Sequence, residues 1–313
     1  MVSYIVRRML LVIPVLWLAL TLAFFLMRLA PGDPAIAILG EYASEETLDA
    51  FREEMGLNDP VFVQYSRYLG GIVQGDFGRS LVSGQPVSEL VFFVLPHTLE
   101  LVFGAVLLGT LLAIPLGIFT AIRRNTIIDS LLRTLSLFGI STPGFFLGIL
   151  LLILFAVKIR LFPVVGVGYF QDPIDNLRHV LLPSLALAII MIAYLTRVTR
   201  SAILNVLSED YVKTARSKGL HELKVLYKHV LRSAAIPIVS VLGMYTIVLI
   251  GSSVPVEIVF SRPGLGSMLV KGAIQRDYVL LQSLIAIYAG FVAIMNLLTD
   301  ICYGFIDPRI RYD

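Results

Sequence analysis

Charge is scarce in this chain. Of its 313 residues 15% are Asp, Glu, Lys or Arg and 57% are hydrophobic, whereas a soluble domain carries about 25% charged residues. That shortfall excludes an ordinary soluble domain and points to a polytopic membrane protein. Cysteine is nearly absent: Cys302 alone, in an apolar run, excludes an intrachain disulfide and a cysteine-ligated metal centre. The four histidines, His97, His179, His221 and His229, are scattered and make no ligand spacing. No G-x-x-x-x-G-K-[ST] occurs, and Lys218–Gly219 has the two residues in the wrong order, so the chain has no loop to cradle nucleotide phosphates. G-x-S-x-G and H-E-x-x-H are missing too. These absences argue against a catalytic role, a metal or a cofactor. A net charge of +3 makes no case for nucleic acid. The position of the few charges is the informative feature.

Long apolar runs are what the chain has instead. A bilayer core needs about 20 mostly apolar residues per helix, and six stretches qualify: Met9–Ala30, Thr98–Ile122, Leu131–Val157, Val180–Thr196, Ile236–Phe260 and Leu281–Gly304. The first follows Arg7 and Arg8 as a signal peptide would. Its run is too long for that, and LAPGDPA is a poor cleavage site, so it is expected to be retained. Orientation follows the basic residues. With the N-terminus in the cytoplasm, the inner segments carry Arg7, Arg8, Arg123, Arg124, Arg133, Arg309 and Arg311 and the basic stretch from Arg197 to Arg232. The outer segment Pro31–Pro96 is acidic, with Asp33, Glu41, Glu45, Glu46, Asp49, Glu53, Glu54, Asp59, Asp76 and Glu89 against Arg52, Arg67 and Arg79. Arg262, Lys271 and Arg276 in the last outer loop weaken the bias slightly.

The outer segment predicts structure of its own. Ser44 is placed to cap a helix with Glu45 and Glu46 in its first turn, Leu48, Phe51 and Met55 on one face, and Gly56 at its end. VFVQYSRYLGGIV after Pro60 reads as a second helix and GDFGRS as a turn. The segment is either a docking surface or a cap over the bundle.

The basic interruption RVTRSAILNVLSEDYVKTARSKGLHELKVLYKHVLR reads as two short helices hinged at Gly219. Ser208 is the expected N-cap of the first, with Glu209 and Asp210 at the positive end of its dipole. Leu204, Leu207, Tyr211 and Ala215 lie near one face. Leu223, Leu226, Tyr227, Val230 and Leu231 make an apolar stripe on the second, and Lys224, Lys228 and Arg232 recur on another face. Two readings stand: an interfacial pair on anionic lipid, or an elbow that fills a groove on another protein.

This elbow resembles the cytoplasmic signature loop of ABC-importer permeases, E-A-A-x3-G-x9-I-x-L-P. Ala215, Gly219 and Leu231 match that form, while Lys213 stands in place of its acid and Arg232 in place of its proline. EDYVKTARSKGL followed by KHVLRSAAIP looks like the version found in permeases for peptides, glutathione and nickel. YIVRRMLLVIPVLWL, LAPGDPA, MGLNDPVFVQYSRYL, GDFGRS, ISTPGF, HVLLPSLAL, VPVEIVFSRPGLGSMLV, RDYVLLQ and IDPRIRY agree with that subfamily in order, over nearly the whole chain. The resemblance is closest to the first of the two permease subunits such systems carry. It implies an all-α, six-span subunit in a prokaryotic inner membrane with a cytoplasmic helix–Gly–helix coupling elbow. It further implies a second permease, two ATPase subunits that grip the elbows, and an extracytoplasmic solute-binding protein. On that basis residues 1–8 are the cytoplasmic N-terminus, 9–30 the first span, 31–97 an extracytoplasmic helical region, and 98–313 the permease core with its elbow at 197–235. Tyr211, Ala215, Arg216, Lys218, Gly219, Leu220, Leu223, Leu226 and Leu231 are the expected coupling residues.

Glu100, Glu257 and Asp300 sit in or at the ends of spans, where ionisable groups are functional candidates. Glu257 together with Pro263, Gly264 and Gly266 is a candidate path or gate near the outer face. There is no inward chain of acids and bases and no visible repeat between halves, as a secondary transporter would have. An ion-coupled carrier and a non-transport scaffold are the alternatives.

Overall fold

The computed structural model describes residues 2–29, 33–40 and 42–306. Residues 30–32 of LAPGDPA, Glu41, and IDPRIRY after Ile306, with Arg309 and Arg311, lie outside the described residues. The described residues form thirteen α-helices: α1 (Val2–Leu29), α2 (Pro34–Leu39), α3 (Glu45–Glu54), α4 (Val61–Gln74), α5 (Val87–Ile122), α6 (Ile127–Ser141), α7 (Gly144–Leu151), α8 (Pro173–Leu207), α9 (Asp210–Ser217), α10 (Glu222–Val225), α11 (Leu231–Val259), α12 (Leu265–Gln275) and α13 (Tyr278–Ile306). π-helical stretches extend α7 through Leu152–Lys158 and join α10 to α11 through Leu226–Val230. The described residues contain no β-strand, only an isolated bridge between Arg79 and Pro86. The chain divides into two compact units, one of Met1–Ile5, His97–Arg262 and Met295–Asp313, the other of Val6–Pro96 and Pro263–Ile294.

Among the described residues five helices are long and apolar enough to cross a membrane: Arg7–Leu29, Val87–Ile122, Pro173–Leu207, Glu222–Val259 and Tyr278–Cys302. The count reaches six only if the pair Ile127–Ser141 and Gly144–Lys158 is one span, and that pair is bent by 106°. The expected third span Leu131–Val157 is therefore broken. Thr142 is extended, with φ −99 and ψ 131, immediately before Pro143. A residue preceding proline is driven out of the helical region, and proline cannot return a hydrogen bond to the previous turn. The fourth span is longer than its apolar run. α8 has 35 residues, started by Asp172, which accepts from the N–H groups of Ile174 and Asp175, with Pro173 at the first helical position. At ~1.5 Å per residue it is about 52 Å long, more than a hydrocarbon core of ~30 Å.

α8 is the core of the first unit. Leu182, Leu187, Met191, Leu195 and Ile203 are buried along it, with α5, α6, α7 and α11 packed around. Ser184 and Thr196 donate hydroxyl hydrogen bonds to the Leu101 and Ala113 carbonyls of α5, at 3.3 and 3.4 Å. Gly117 permits this approach: a Cβ there would lie 2.5 Å from Thr199 Cβ and 2.8 Å from the Thr196 carbonyl.

In the second unit Ser44 caps α3 and Gly56 follows with φ +63, while of the expected apolar face Leu48 is buried but Met55 is exposed. Asp33 caps α2 and takes a two-point contact from Arg52 of α3 at 2.9 and 2.6 Å. α4 packs on α1 through Phe24, Tyr65 and Tyr68, and burial pushes the Tyr68 hydroxyl up to about 12. Asp277, fully buried between α12 and α13, accepts from Ser80 Oγ at 2.5 Å and from the N–H groups of Leu81 and Leu280 at 3.2 and 3.1 Å. It thereby pins the turn after GDFGRS above a core of Val87, Val91, Val94, Leu265, Leu280 and Leu284.

Candidate functional site

The elbow begins where α8 ends. Ser208 closes α8 rather than opening α9, its hydroxyl donating to the Asn205 carbonyl at 2.6 Å. Glu209 takes the N-cap position of α9 without a side-chain cap. Lys213, which stands where the family's acid would be, bonds Asp210 one turn back at 2.8 Å. The bond and the opposite charge hold the Asp210 carboxyl below its ordinary value and lift the Lys213 ammonium above its own. Gly219 ends α9 with φ +73, the left-handed conformation. An ion pair spans this hinge: Arg216 grips Glu222 through Nε at 2.9 Å and Nη2 at 3.2 Å. Both side chains are largely exposed, so the pair adds little stability.

The two elbow helices divide their residues between an inner and an outer face. Val212, Ala215, Val225, Leu226 and Val230 are buried, and Leu220 and Leu231 are half-buried. Tyr211, Arg216, Lys218, Gly219, Leu223 and Tyr227 are exposed, as are Lys224, Lys228 and Arg232. The stripe expected from periodicity is thus split. The π-helical stretch Leu226–Val230 inserts a residue into the turn and rotates Leu223 and Tyr227 away from Leu226 and Val230. Ala215 and Leu226 belong to the fold's interior, while Leu223 at 58% and Tyr227 at 62% exposure form an uncovered apolar pair. Tyr211 bonds Ser233 at 2.9 Å and ties α9 to the start of α11.

Two ionic clusters lie elsewhere in the same unit. Asp129, fully buried in the first turn of α6, receives Arg200 of α8 in a fork at 2.8 and 2.9 Å, and the Asn125 N–H at 3.0 Å. Sequence reasoning missed this acid, because the expected third span starts at Leu131, two residues beyond it; an ionisable group beside an apolar run is the signal that could have found it. The other cluster gathers Glu100, Asn176, Glu257 and Arg262. Arg262 and Asn176 both donate to Glu100. Glu257 is fully buried and accepts from Thr98 Oγ1 at 2.8 Å and Ser253 Oγ at 3.3 Å. Burial lowers the Arg262 guanidinium and the neighbouring carboxylates oppose that shift. Of the other candidate gate residues, Pro263, Gly264 and Gly266 belong to the second unit, at the start of α12, where Gly264 donates its N–H to Ser267 Oγ at 3.0 Å. Among the described residues no group of His, Cys, Asp and Glu is placed to hold a metal.

Residues 113–312 match the family described as the binding-protein-dependent transport system inner membrane component, and residues 1–102 match its N-terminal family. The chain belongs to this permease family. The oligopeptide transport system permease protein AppB of Bacillus subtilis (strain 168) is 42% identical over 316 residues, covering all of both chains. The glutathione transport system permease protein GsiC of Salmonella paratyphi A is 40% identical over 312 residues, again over all of both. Among solved structures, an inward-facing crystal form of the MetNI methionine ABC transporter has a TM-score of 0.59 at 18% identity, covering 70% of this chain and 97% of that one. This last likeness concerns the fold alone. The permease is accordingly a multi-pass inner-membrane subunit of an ABC importer, working with ATPase and binding-protein partners. It is not an enzyme, ATP hydrolysis residing on separate subunits.

Proposed function

We propose that this permease forms half of an import path for short peptides, paired with a second permease and driven by two ATPase subunits that dock on the elbow. Both termini and the elbow are cytoplasmic, and residues 31–97 face the binding protein. The sign of the loops supports the orientation, with Lys213, Arg216, Lys218, Lys224 and Lys228 on the elbow against the acids of residues 31–97. The solute class rests on full-length relatives named for oligopeptide and for glutathione, itself a tripeptide. One observation carries the docking site: Leu223 and Tyr227 are apolar and uncovered, next to a hinge set by Gly219 and braced by Arg216–Glu222. In this reading Glu257 of the first unit, and separately Pro263, Gly264 and Gly266 of the second, serve the path or gate.

The test is Leu223→Asp in the co-expressed complex. A charge driven into a desolvated contact loses affinity. ATPase recovery by pull-down should fall about tenfold or more, equivalent to at least ~1.4 kcal/mol, with the permease still monodisperse. The wild-type complex in proteoliposomes should take up labelled di- and oligopeptides only with ATP and loaded binding protein. Full ATPase recovery by Leu223→Asp sinks the docking face, and absence of ATP-dependent peptide uptake sinks the solute class. Exposed Lys224, Lys228 and Arg232 also suit an anionic lipid surface; salt-sensitive vesicle binding with unchanged ATPase recovery would favour that reading.

A further inference from the structure

Buried Asp129 of α6 and Arg200 of α8 form a two-point ion pair. Burying a charge is costly, and an apolar pair of similar volume would secure α6 to α8 as well or better. A fork with two donors and two acceptors adds direction, because it fixes the angle between the elements that carry it. Three features place that direction at a useful point. First, the same carboxylate accepts the Asn125 N–H, with Asn125 in the left-handed region at φ +63, and Arg133 Nε lies 3.7 Å away. Asp129 therefore sets the α5–α6 turn as well as the start of α6. Secondly, Arg200 stands two turns before Ser208, where α8 gives way to the elbow, and Gly117 brings α5 into contact with neighbouring Thr199. Thirdly, α6 is a rod of 15 residues, about 22 Å long, whose far end is the 106° break at Thr142–Pro143.

We propose that the Asp129–Arg200 fork is the joint that passes displacement of the elbow to α6, and through it to the broken α6–α7 span, making both residues positioning residues for the coupling of ATP hydrolysis to import. This rests on the reading of the elbow as the ATPase-docking element. A neutral pair restores the contact and loses the direction, so coupling and stability separate.

The experiment uses the full importer in proteoliposomes with loaded binding protein, and Asp129→Asn, Arg200→Lys and the double Asp129→Asn/Arg200→Gln. It reads ATPase recovery, thermal stability, and labelled peptide imported per ATP hydrolysed. Each single variant should recover ATPase as the wild type does and hydrolyse ATP, while peptide per ATP falls about tenfold. The double variant should regain the thermal stability lost by Asp129→Asn without regaining the ratio. A wild-type ratio in either single variant, or its recovery in the double, overturns the joint. So does loss of assembly in both single variants, since the pair is then a staple. Failure of the docking reading is seen separately, as wild-type ATPase recovery by Leu223→Asp.

Discussion

A guanidinium that is entirely buried must be matched by its surroundings, and Arg262 is matched on one side only. Its Nη2 meets Glu100, while Nε and Nη1 have no hydrogen-bond acceptor among the described residues. Glu100 is the partner that makes this burial tolerable, and Asn176 holds Glu100 in place from the start of α8. Removing one member of such a pair typically costs ~3–5 kcal/mol, whereas removing both can be nearly neutral. Glu100→Gln should therefore lower the melting temperature of the purified complex more than the double Glu100→Gln/Arg262→Met does. Thermal unfolding in detergent checks this. Equal losses in the two would mean that Glu257, the other acid acting on Arg262, already compensates its charge. The contact lay beyond sequence reading because Glu100 and Arg262 are 162 positions apart. Each was visible as a charge near a span end, but periodicity gives no register between distant helices.

At the scale of the element, the hinge at Gly219 is a backbone device. A Cβ there meets nothing within 4 Å, so a substitution is penalised by conformation alone. The left-handed region costs an ordinary L-residue ~1–2 kcal/mol, more for a β-branched one and less for asparagine. Gly219→Asn should import at close to the wild-type rate. Gly219→Val should reach the membrane but lose most import per ATP, as read by parallel uptake and phosphate-release assays. Equal behaviour of the two would show that the hinge angle is unimportant. The hinge itself was legible, since glycine between two amphipathic runs has few other uses. Which face it presents was not. The stripe Leu223, Leu226, Tyr227, Val230 and Leu231 assumes an unbroken period of 3.6, and the π-helical stretch breaks that period. The apolar run of the third span hid its break in the same way, because hydropathy sums over Thr142–Pro143 where the backbone turns. α8 outruns its apolar core because caps and proline, not hydropathy, set where a helix starts.

For the whole molecule, orientation is a matter of which loops carry the basic residues. Carboxylates of residues 31–97 are partly neutralised, Asp33 and Asp49 by Arg52, Asp59 by Arg67. Glu53 and Glu54 remain exposed, and the segment stays acidic. Retaining basic loops in the cytoplasm depends on Lys and Arg near the span ends and hardly on acids, so the elbow and the Arg123–Arg124 turn dominate the orientation. A cysteine replacing exposed Glu53 should then react with an impermeant thiol reagent in intact cells, and one replacing exposed Lys224 should react only after permeabilisation. Cys302 is itself exposed on α13 and would give background, so Cys302→Ala comes first. Its place in an apolar stretch makes that change mild. The reverse labelling pattern would put the elbow outside, out of reach of any ATPase, and would remove the docking proposal together with the joint at Asp129–Arg200 that depends on it.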